Sequence, residues 1–240
     1  DAANFVWVPV PREPSRRPVP EELSRDTLSN VPDASTDAQQ MLDALAWAPG
    51  PFAVTCEREP DAPYDTLARY PSPTPTVEGH NEMVTMEWYA PRPRSGRDVT
   101  APAVLVLHES GRQMLVARIF ARSLRAAGLH AFVMHMPGYG KRPRQTGHPE
   151  VTAMLPRVRQ AMSDARRAFD AIRVLPGVNP KAIGIMGISL GGFVTPVSAS
   201  LDGCFTNVFV VVAGGELHSM VTRSKGEAAA ARAALVGAEI

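Results

Sequence analysis

The sequence predicts an α/β protein with a mostly parallel sheet and helices on both faces of that sheet. From residue 83 onwards, short apolar segments alternate with helical patterns, which is the element order of a parallel sheet covered by helices. The clearest helical pattern covers 150–173, where apolar residues recur every three or four positions. A Gly-x-Ser-x-Gly motif at 187–191 lies between an apolar segment and a helical pattern, which indicates a sharp strand-to-helix turn.

Composition limits the classes of protein to which the chain can belong. Its 240 residues suffice for one domain of ordinary size and an appendage. Hydrophobic residues make up 45% and the net charge is +1, which excludes a highly charged disordered chain and gives no support for nucleic-acid binding. No apolar run approaches the length of about 18 residues that a transmembrane helix requires. Two cysteines, Cys56 and Cys204, are too few for a disulfide framework or a four-thiolate zinc site, and no metal or cofactor is expected.

Residues 1–80 are rich in proline and are predicted to form an arm packed on the core. Thirteen of the 23 prolines precede residue 76, which disfavours long helices and central strands there. One helix is expected, with Asp37 as its cap and Met41 and Leu45 at helical spacing. The aromatic residues of this region need burial, which argues against a free linker; they are Phe5, Trp7, Trp47, Phe52, Tyr64 and Tyr70.

Residues 81–240 are predicted to form a partial α/β domain, whose strands can be assigned in order. The pattern at 83–89 predicts a strand that pairs with the segment at 67–70 across a turn at 78–81. The β-branched apolar run at 103–107 is typical of a strand buried on both faces. Further strands are predicted at 129–134, 182–186 and 205–212.

Three helices are predicted between these strands. The first covers 113–127, carries an apolar stripe and ends at Gly128. The second covers 150–173 and ends before the Pro176-Gly177 pair. The third begins at Leu190, directly after the Gly-x-Ser-x-Gly turn. Strands joined through helices in this way form a parallel sheet that needs cover on both faces.

The motif Gly187-Ile188-Ser189-Leu190-Gly191 is the part of the sequence that carries chemistry. A serine on a sharp strand-to-helix turn adopts a strained backbone, and we expect Ser189 to have a positive φ. The glycines on either side must lack side chains because the strand and the helix approach closely there. The turn exposes the hydroxyl at the carboxyl end of the sheet, beside the free N–H groups of a helix N-terminus. Ser189 is therefore predicted to be a nucleophile; a glycine-rich turn with an incidental serine is the alternative.

Three segments give the sequence a resemblance to a known family. They are His-Glu-Ser-Gly-Arg at 108–112, Met-Pro-Gly-Tyr-Gly at 136–140 and the turn at Ser189, each directly after a predicted strand. With these segments the chain resembles the α/β-hydrolase superfamily, especially its dienelactone-hydrolase-like and esterase branches, over about residues 66–225. The resemblance implies the α/β-hydrolase fold and a serine hydrolase.

The resemblance also implies an oxyanion hole made of two backbone N–H groups. One belongs to Leu190, directly after the nucleophile, and the other to Ser110, with Glu109 as the alternative. The family often has His-Gly where this chain has His108-Glu109, so the geometry of this loop is open. His108 precedes the nucleophile, whereas the base of the family follows it, and His108 is interpreted as a residue that structures the loop. His135 and Met136 are interpreted as wall residues of the cleft.

The acid and the histidine that such a nucleophile needs are not evident. After Ser189 the sequence has one histidine, His218, and four acids, Asp202, Glu216, Glu227 and Glu239. A Ser189–His218–Glu216 triad is disfavoured because its acid and histidine are two residues apart. Only 28 residues follow position 212, too few for two further strand–helix units of about 30 residues each. The C-terminal strands are therefore expected to be missing, which leaves an open sheet edge beside the strand at 205–212.

Three functions are compatible with these observations. The first is a serine hydrolase that cleaves carboxylic esters of small molecules through an acyl-enzyme on Ser189, with a missing segment or a second chain completing the fold. The alternative is a non-catalytic hydrolase-like module for interaction or structure; a peptidase or acyl transferase on the same scaffold is a third possibility. The sequence begins at Asp1 and not at methionine, which favours an exported protein, with a trimmed chain as the alternative.

Overall fold

An eight-stranded sheet forms the centre of the computed structural model, which describes residues 15–24, 36–75, 82–92, 100–111, 113–142 and 150–213. The strands are β1 (Ser15–Val19), β2 (Phe52–Glu57), β3 (Thr66–Pro71), β4 (Met83–Tyr89), β5 (Ala101–Leu107), β6 (His130–His135), β7 (Val178–Ile188) and β8 (Val208–Val211). They lie side by side in the order β1-β2-β3-β4-β6-β5-β7-β8.

The sheet has a parallel half and an antiparallel half. Strands β6, β5, β7 and β8 pair in parallel, and β1 to β4 extend the sheet from β6 as antiparallel strands. Leu107 of β5 pairs with both Met134 of β6 and Gly187 of β7, so these strands end at nearly the same level. The carboxyl ends of the four parallel strands therefore form one edge, where the loops that follow them come together.

The proline-rich region contributes three strands to the sheet, and the expectation that it holds no central strands was wrong for β2 and β3. Both strands have a paired neighbour on each side. The prolines bracket these strands instead of interrupting them, with Pro51 directly before β2 and Pro71 as the last residue of β3. Pro18 lies within β1, the outermost strand, which is a position where sheets tolerate proline. The division of the chain at residues 80 and 81 stays a prediction.

Helices cover both faces of the sheet, as the sequence predicted. They are α1 (Thr36–Asp43), α2 (Leu115–Ala126), α3 (Glu150–Arg173) and α4 (Leu190–Asp202). On one face α2 buries Ala117 and Ala121 against the sheet. On the other face α3 and α4 form a larger core that includes Ala168, Ile172 and Val194. None of the helices in the described ranges has both the length and the apolar character needed to cross a membrane.

Strand β8 is the outermost strand at the other end of the described sheet. Within the described ranges its pairing partner is β7 alone. The side chains of Val208, Phe209 and Val210 are 47%, 48% and 45% exposed. The described part of the chain thus has the open apolar edge that the sequence led us to expect, while residues 214–240 lie outside the described ranges.

Candidate active site

Ser189 lies in the turn between the last residue of β7 and the first residue of α4. Its backbone has φ 49° and ψ −110°, outside both the strand and the helix regions, as predicted from the motif. Its N–H donates a hydrogen bond to the Val211 carbonyl at the end of β8, with an N···O distance of 3.0 Å. A non-glycine residue in this conformation costs roughly 1–3 kcal/mol, so the surrounding structure must hold the turn in place.

Close packing around the turn explains the two glycines of the motif. A Cβ atom at Gly187 would lie 2.6 Å from the Gly191 carbonyl carbon, and one at Gly191 would lie 2.5 Å from the Leu107 carbonyl carbon. Real Cβ atoms essentially never come this close to backbone atoms. The ends of β5 and β7 and the start of α4 therefore meet at Ser189, and the predicted need for glycine at both positions is confirmed.

The loop after β5 lies beside this turn. The Gly191 N–H donates to the His108 carbonyl at 3.0 Å, which joins the start of α4 to the segment that contains Ser110. Ser110 is exposed and Leu190 is half-buried, and in the described part of the chain neither of their N–H groups donates a hydrogen bond. Free N–H groups at the start of a helix and in an adjacent loop can bind an anionic oxygen. The structure thus brings the predicted site residues to one edge of the sheet.

His108 connects the loops that follow β5 and β6. Its Nε2 accepts a hydrogen bond from the Met136 N–H at 3.1 Å, which leaves Nδ1–H to donate to the Glu109 carbonyl at 2.6 Å. The Tyr139 ring packs edge-on against it, with ring centroids 4.8 Å apart. Burial lowers the pKa of His108 to about 4, so the ring is neutral at physiological pH. These contacts support the interpretation of His108 as a residue that structures the loop.

The other two described histidines are also occupied at both ring nitrogens. His135 donates from Nε2 to Glu87 Oε1 at 3.0 Å and accepts at Nδ1 from the Lys141 N–H at 3.0 Å. His130 accepts at Nδ1 from Trp88 Nε1 at 3.0 Å and donates from Nε2 to the Gly177 carbonyl at 2.9 Å. No histidine in the described ranges is therefore free to take a proton from Ser189.

A buried polar cluster around Glu87 was missed by the sequence analysis. Glu87 lies on β4 with a fully buried side chain that accepts hydrogen bonds from Arg118 Nε at 3.0 Å, the Tyr89 hydroxyl at 2.9 Å and His135. Burial by itself would raise the pKa of Glu87, but the hydrogen bonds from His135 and Arg118 outweigh it and lower this pKa to about 2. The cluster holds the loop after β6 through the His135–Lys141 contact. The signal in the sequence is Glu87, the one charged residue of a strand that is otherwise uncharged and mostly apolar.

The acids predicted as candidates are not brought to Ser189 within the described ranges. Asp202 is the last residue of α4, and both of its carboxylate oxygens accept from the Arg166 guanidinium, at 2.7 and 2.8 Å. That bidentate ion pair occupies the carboxylate. His218, together with the acids Glu216, Glu227 and Glu239, lies outside the described residues.

A cavity of about 560 Å³ lies at the opposite end of the sheet. Its lining comes from β1 and β2 and the residue before β2, and consists of Arg16, Pro18, Pro51, Phe52 and Ala53. Five strand spacings separate β2 from β7, which is roughly 24 Å, so this cavity is not part of the Ser189 site. In the described part of the chain no group of three or more His, Cys, Asp or Glu side chains could hold a metal ion.

The two buried neutral histidines predict how stability depends on pH. Burial lowers the pKa values of His108 and His130 to about 4, well below the value of about 6.5 for an unfolded chain. Their contribution to stability is therefore full above pH 6.5 and is lost as the pH falls toward 4. Between these limits we expect the free energy of unfolding to drop by about 1.4 kcal/mol per pH unit for each histidine. Urea denaturation at several pH values measures this slope.

A single substitution distinguishes the contribution of the histidines to this pH dependence from the contribution of other titrating groups. His130→Gln should remove about half of the slope between pH 6.5 and 4.5. A His130→Gln variant with the same slope as the wild type would contradict the buried neutral state of His130.

Comparison with known proteins identifies the architecture. No protein-family model matches the chain, and no curated protein matches it. Among solved structures, acetyl xylan esterase 1 from Thermoanaerobacterium sp. JW/SL YS485 matches with a TM-score of 0.59 and 14% identity, over 90% of this chain and 69% of that chain. An acetyl xylan esterase from Paenibacillus sp. R4 matches with a TM-score of 0.56 and 16% identity, over 86% of this chain and 68% of that chain.

Other matches cover a smaller part of the matched protein. An α/β hydrolase from Penicillium sp. sh18 has a TM-score of 0.43 and 19% identity over 55% of this chain, which spans 42% of the length of that protein. The likeness to the two esterases, together with the strand order, shows that the chain has the α/β-hydrolase fold. The fold class predicted from the sequence is confirmed.

Proposed function

We propose that the chain is a serine hydrolase that cleaves carboxylic esters of small molecules through an acyl-enzyme on Ser189. The observation that carries the proposal is the backbone of Ser189, whose φ of 49° keeps it out of both the strand and the helix at the carboxyl edge of the sheet. A structure keeps such strain where the geometry is needed, and the turn at Ser189 directly precedes the N-terminus of α4.

In this mechanism the Ser189 Oγ attacks the ester carbonyl carbon and loses its proton to a general base. The carbonyl oxygen becomes an oxyanion, which accepts hydrogen bonds from the N–H groups of Leu190 and Ser110. The alcohol leaves with the proton from the base, and the acyl group stays on Ser189. Water then attacks the acyl-enzyme, which releases the carboxylic acid and restores the serine.

The base comes from outside the described residues under this proposal. The ring nitrogens of His108, His130 and His135 are all engaged. Of the other histidines of this chain, His80, His148 and His218, only His218 follows the nucleophile, as the base does in the family that the sequence resembles. The candidates that we propose are therefore His218 or a histidine of a second chain. Ester chemistry is supported by the fold neighbours, two of which are named acetyl xylan esterases. At 14–16% identity, the likeness to these proteins does not indicate the substrate. We therefore propose only the substrate class, a small carboxylic ester.

The engaged histidines also favour a second candidate, a hydrolase-like module without catalytic activity. Such a module would keep the strained turn as part of its fold and lack a functional base. It predicts a Ser189 hydroxyl of ordinary reactivity. The two candidates therefore differ in the reactivity of one atom.

A fluorophosphonate probe separates the two candidates. The native chain should form a stable adduct whose site, mapped by peptide mass spectrometry, is Ser189. The same chain in denaturant should not react, because the turn and the N–H groups are lost on unfolding. A native protein that stays unlabelled even in the presence of any second chain that completes the fold, or that is labelled at another residue, would support the non-catalytic module.

A further inference from the structure

Glu109 places a carboxylate in the loop that would bind the oxyanion, where a free negative charge would oppose the reaction. The side chain instead reaches the start of α2. Its Oε1 accepts from the Val116 N–H at 2.9 Å, and its Oε2 accepts from the Ala117 N–H at 3.2 Å. These donors are among the N–H groups that a helix N-terminus leaves without intrahelical partners. The charge of Glu109 is thus directed at the positive end of a helix dipole.

Helix α2 has no other side-chain cap in the described part of the chain. Its N-cap residue is Met114, which has a left-handed backbone with φ 48° and no side-chain hydrogen bond to the helix. A capping residue is ordinarily a neighbour in sequence, such as Ser, Thr, Asp or Asn. Here Glu109 supplies the acceptors from the preceding loop, and so ties that loop to α2.

The backbone of Glu109 fixes the same loop internally. Its carbonyl accepts from the Gly111 N–H at 2.8 Å and from His108 Nδ1 at 2.6 Å. The His108 carbonyl in turn accepts from the Gly191 N–H at 3.0 Å, at the start of α4. The loop is therefore held to α2 by Glu109 and to α4 by His108. Ser110 lies between these contacts, exposed, with its N–H making no hydrogen bond in the described ranges.

We propose that Glu109 is a positioning residue: by capping α2 with its carboxylate it fixes the 108–111 loop and so aligns the Ser110 N–H with Ser189. The inference rests on the proposed function, because it gives Ser110 the role of an oxyanion donor. Preorganised donors stabilise a developing charge only if they are held in place before the reaction. The N–H groups of Val116 and Ala117 also stabilise the negative charge of Glu109 at the start of α2, so that this charge does not oppose the oxyanion.

The structural part of the inference is tested by amide hydrogen exchange on Glu109→Ala. The variant should exchange faster at Val116 and Ala117, and also at Gly191, whose acceptor is in the loop. Arg125→Ala is the matched control, since Arg125 lies in the last turn of α2 and pairs with Asp65 at 3.1 Å. That control should leave the exchange of Gly191 unchanged. A Glu109→Ala variant with unchanged Gly191 exchange would overturn the inference.

The functional part is tested by steady-state hydrolysis of p-nitrophenyl acetate. Glu109→Ala should lower kcat by about 10- to 100-fold and leave KM within about twofold, because a misplaced donor weakens transition-state binding more than substrate binding. Glu109→Gln keeps one carbonyl oxygen as acceptor and should recover part of the loss, and it serves if the alanine variant does not fold. An unchanged kcat in the alanine variant would overturn the inference.

The two tests keep this inference separate from the proposed function. A wild-type chain without labelling and without turnover contradicts the proposed function and, with it, the catalytic part of the inference. The exchange experiment still decides whether Glu109 couples the loop to both helices. Labelling at Ser189 combined with unchanged kinetics in Glu109→Ala would leave the proposed function standing and remove the inference alone.

Discussion

Replacement of Ser189 with alanine is expected to abolish fluorophosphonate labelling and to lower the rate of ester hydrolysis by about ten thousand- to a million-fold. The Ser189 hydroxyl is the atom that would form the bond to the acyl carbon, and alanine offers no atom in its place. The alanine variant should fold, because the residue is small and half-buried. Intact-mass analysis after labelling, together with p-nitrophenyl acetate turnover, measures both effects.

Ser200→Ala is the matched control for this experiment. Ser200 lies on α4, the helix that begins after Ser189, is exposed and donates its hydroxyl to the Val197 carbonyl at 3.1 Å. Its removal should change neither labelling nor turnover. If Ser189→Ala retained wild-type turnover, hydrolysis would take place elsewhere in the molecule and the proposed nucleophile would be wrong.

Replacement of Arg142 with methionine is expected to lower the free energy of unfolding by about 3–5 kcal/mol at pH 7. Arg142 Nη1 donates to Asp164 Oδ2 at 2.7 Å, and the side chains are 1% and 0% exposed. The same nitrogen donates to the His135 carbonyl at 3.1 Å, so the ion pair anchors the loop after β6. Without the guanidinium, the Asp164 carboxylate would be buried without its counter-charge. Urea denaturation of the two proteins measures the difference.

Lys141→Met is the control, because it removes a neighbouring cation from an exposed pair. Lys141 Nζ lies 2.7 Å from Glu59 Oε1 and its side chain is 41% exposed, so the loss should stay below about 1 kcal/mol. Burial already raises the pKa of Asp164, despite Arg142. In Arg142→Met this pKa should rise further, and the deficit relative to wild type should shrink as the pH falls and the carboxyl gains a proton.

A double variant completes the test of the buried pair. Arg142→Met combined with Asp164→Asn removes the unpaired charge and keeps an oxygen that can accept from Ser72, which donates to Asp164 at 2.6 Å in the wild type. It should be more stable than Arg142→Met alone. Equal losses for Arg142→Met and Lys141→Met would show that the buried pair contributes no more than a surface contact.

The parallel half of the fold could be predicted from the sequence because its signals are local. The strand predicted at 129–134 differs from β6 by one residue at each end, and the helix predicted at 150–173 has the bounds of α3. Apolar periodicity identifies such elements without knowledge of their neighbours. The turn at Ser189 was predictable for the same reason, since its two glycines and its serine lie within five consecutive residues.

The antiparallel half was predicted less well, because the prolines obscured it. β1 and β2 were not expected as strands, although prolines next to a strand or in an edge strand leave its ladder intact. β3 was anticipated only as the segment that pairs with β4. Whether such a segment joins a sheet depends on the strand beside it, which local patterns do not contain.

The sequence by itself therefore determined the element order of the parallel half, the strained turn at Ser189 and the residue types around it. Only the tertiary structure decided which polar groups are already engaged. Glu87 binds His135, which lies 48 residues later in the chain, and Arg142 binds Asp164, which lies 22 residues later. Glu109 caps a helix that begins six residues after it. These contacts arise when packing brings distant residues together and excludes water. A buried charge or ring then requires a partner that no local pattern specifies.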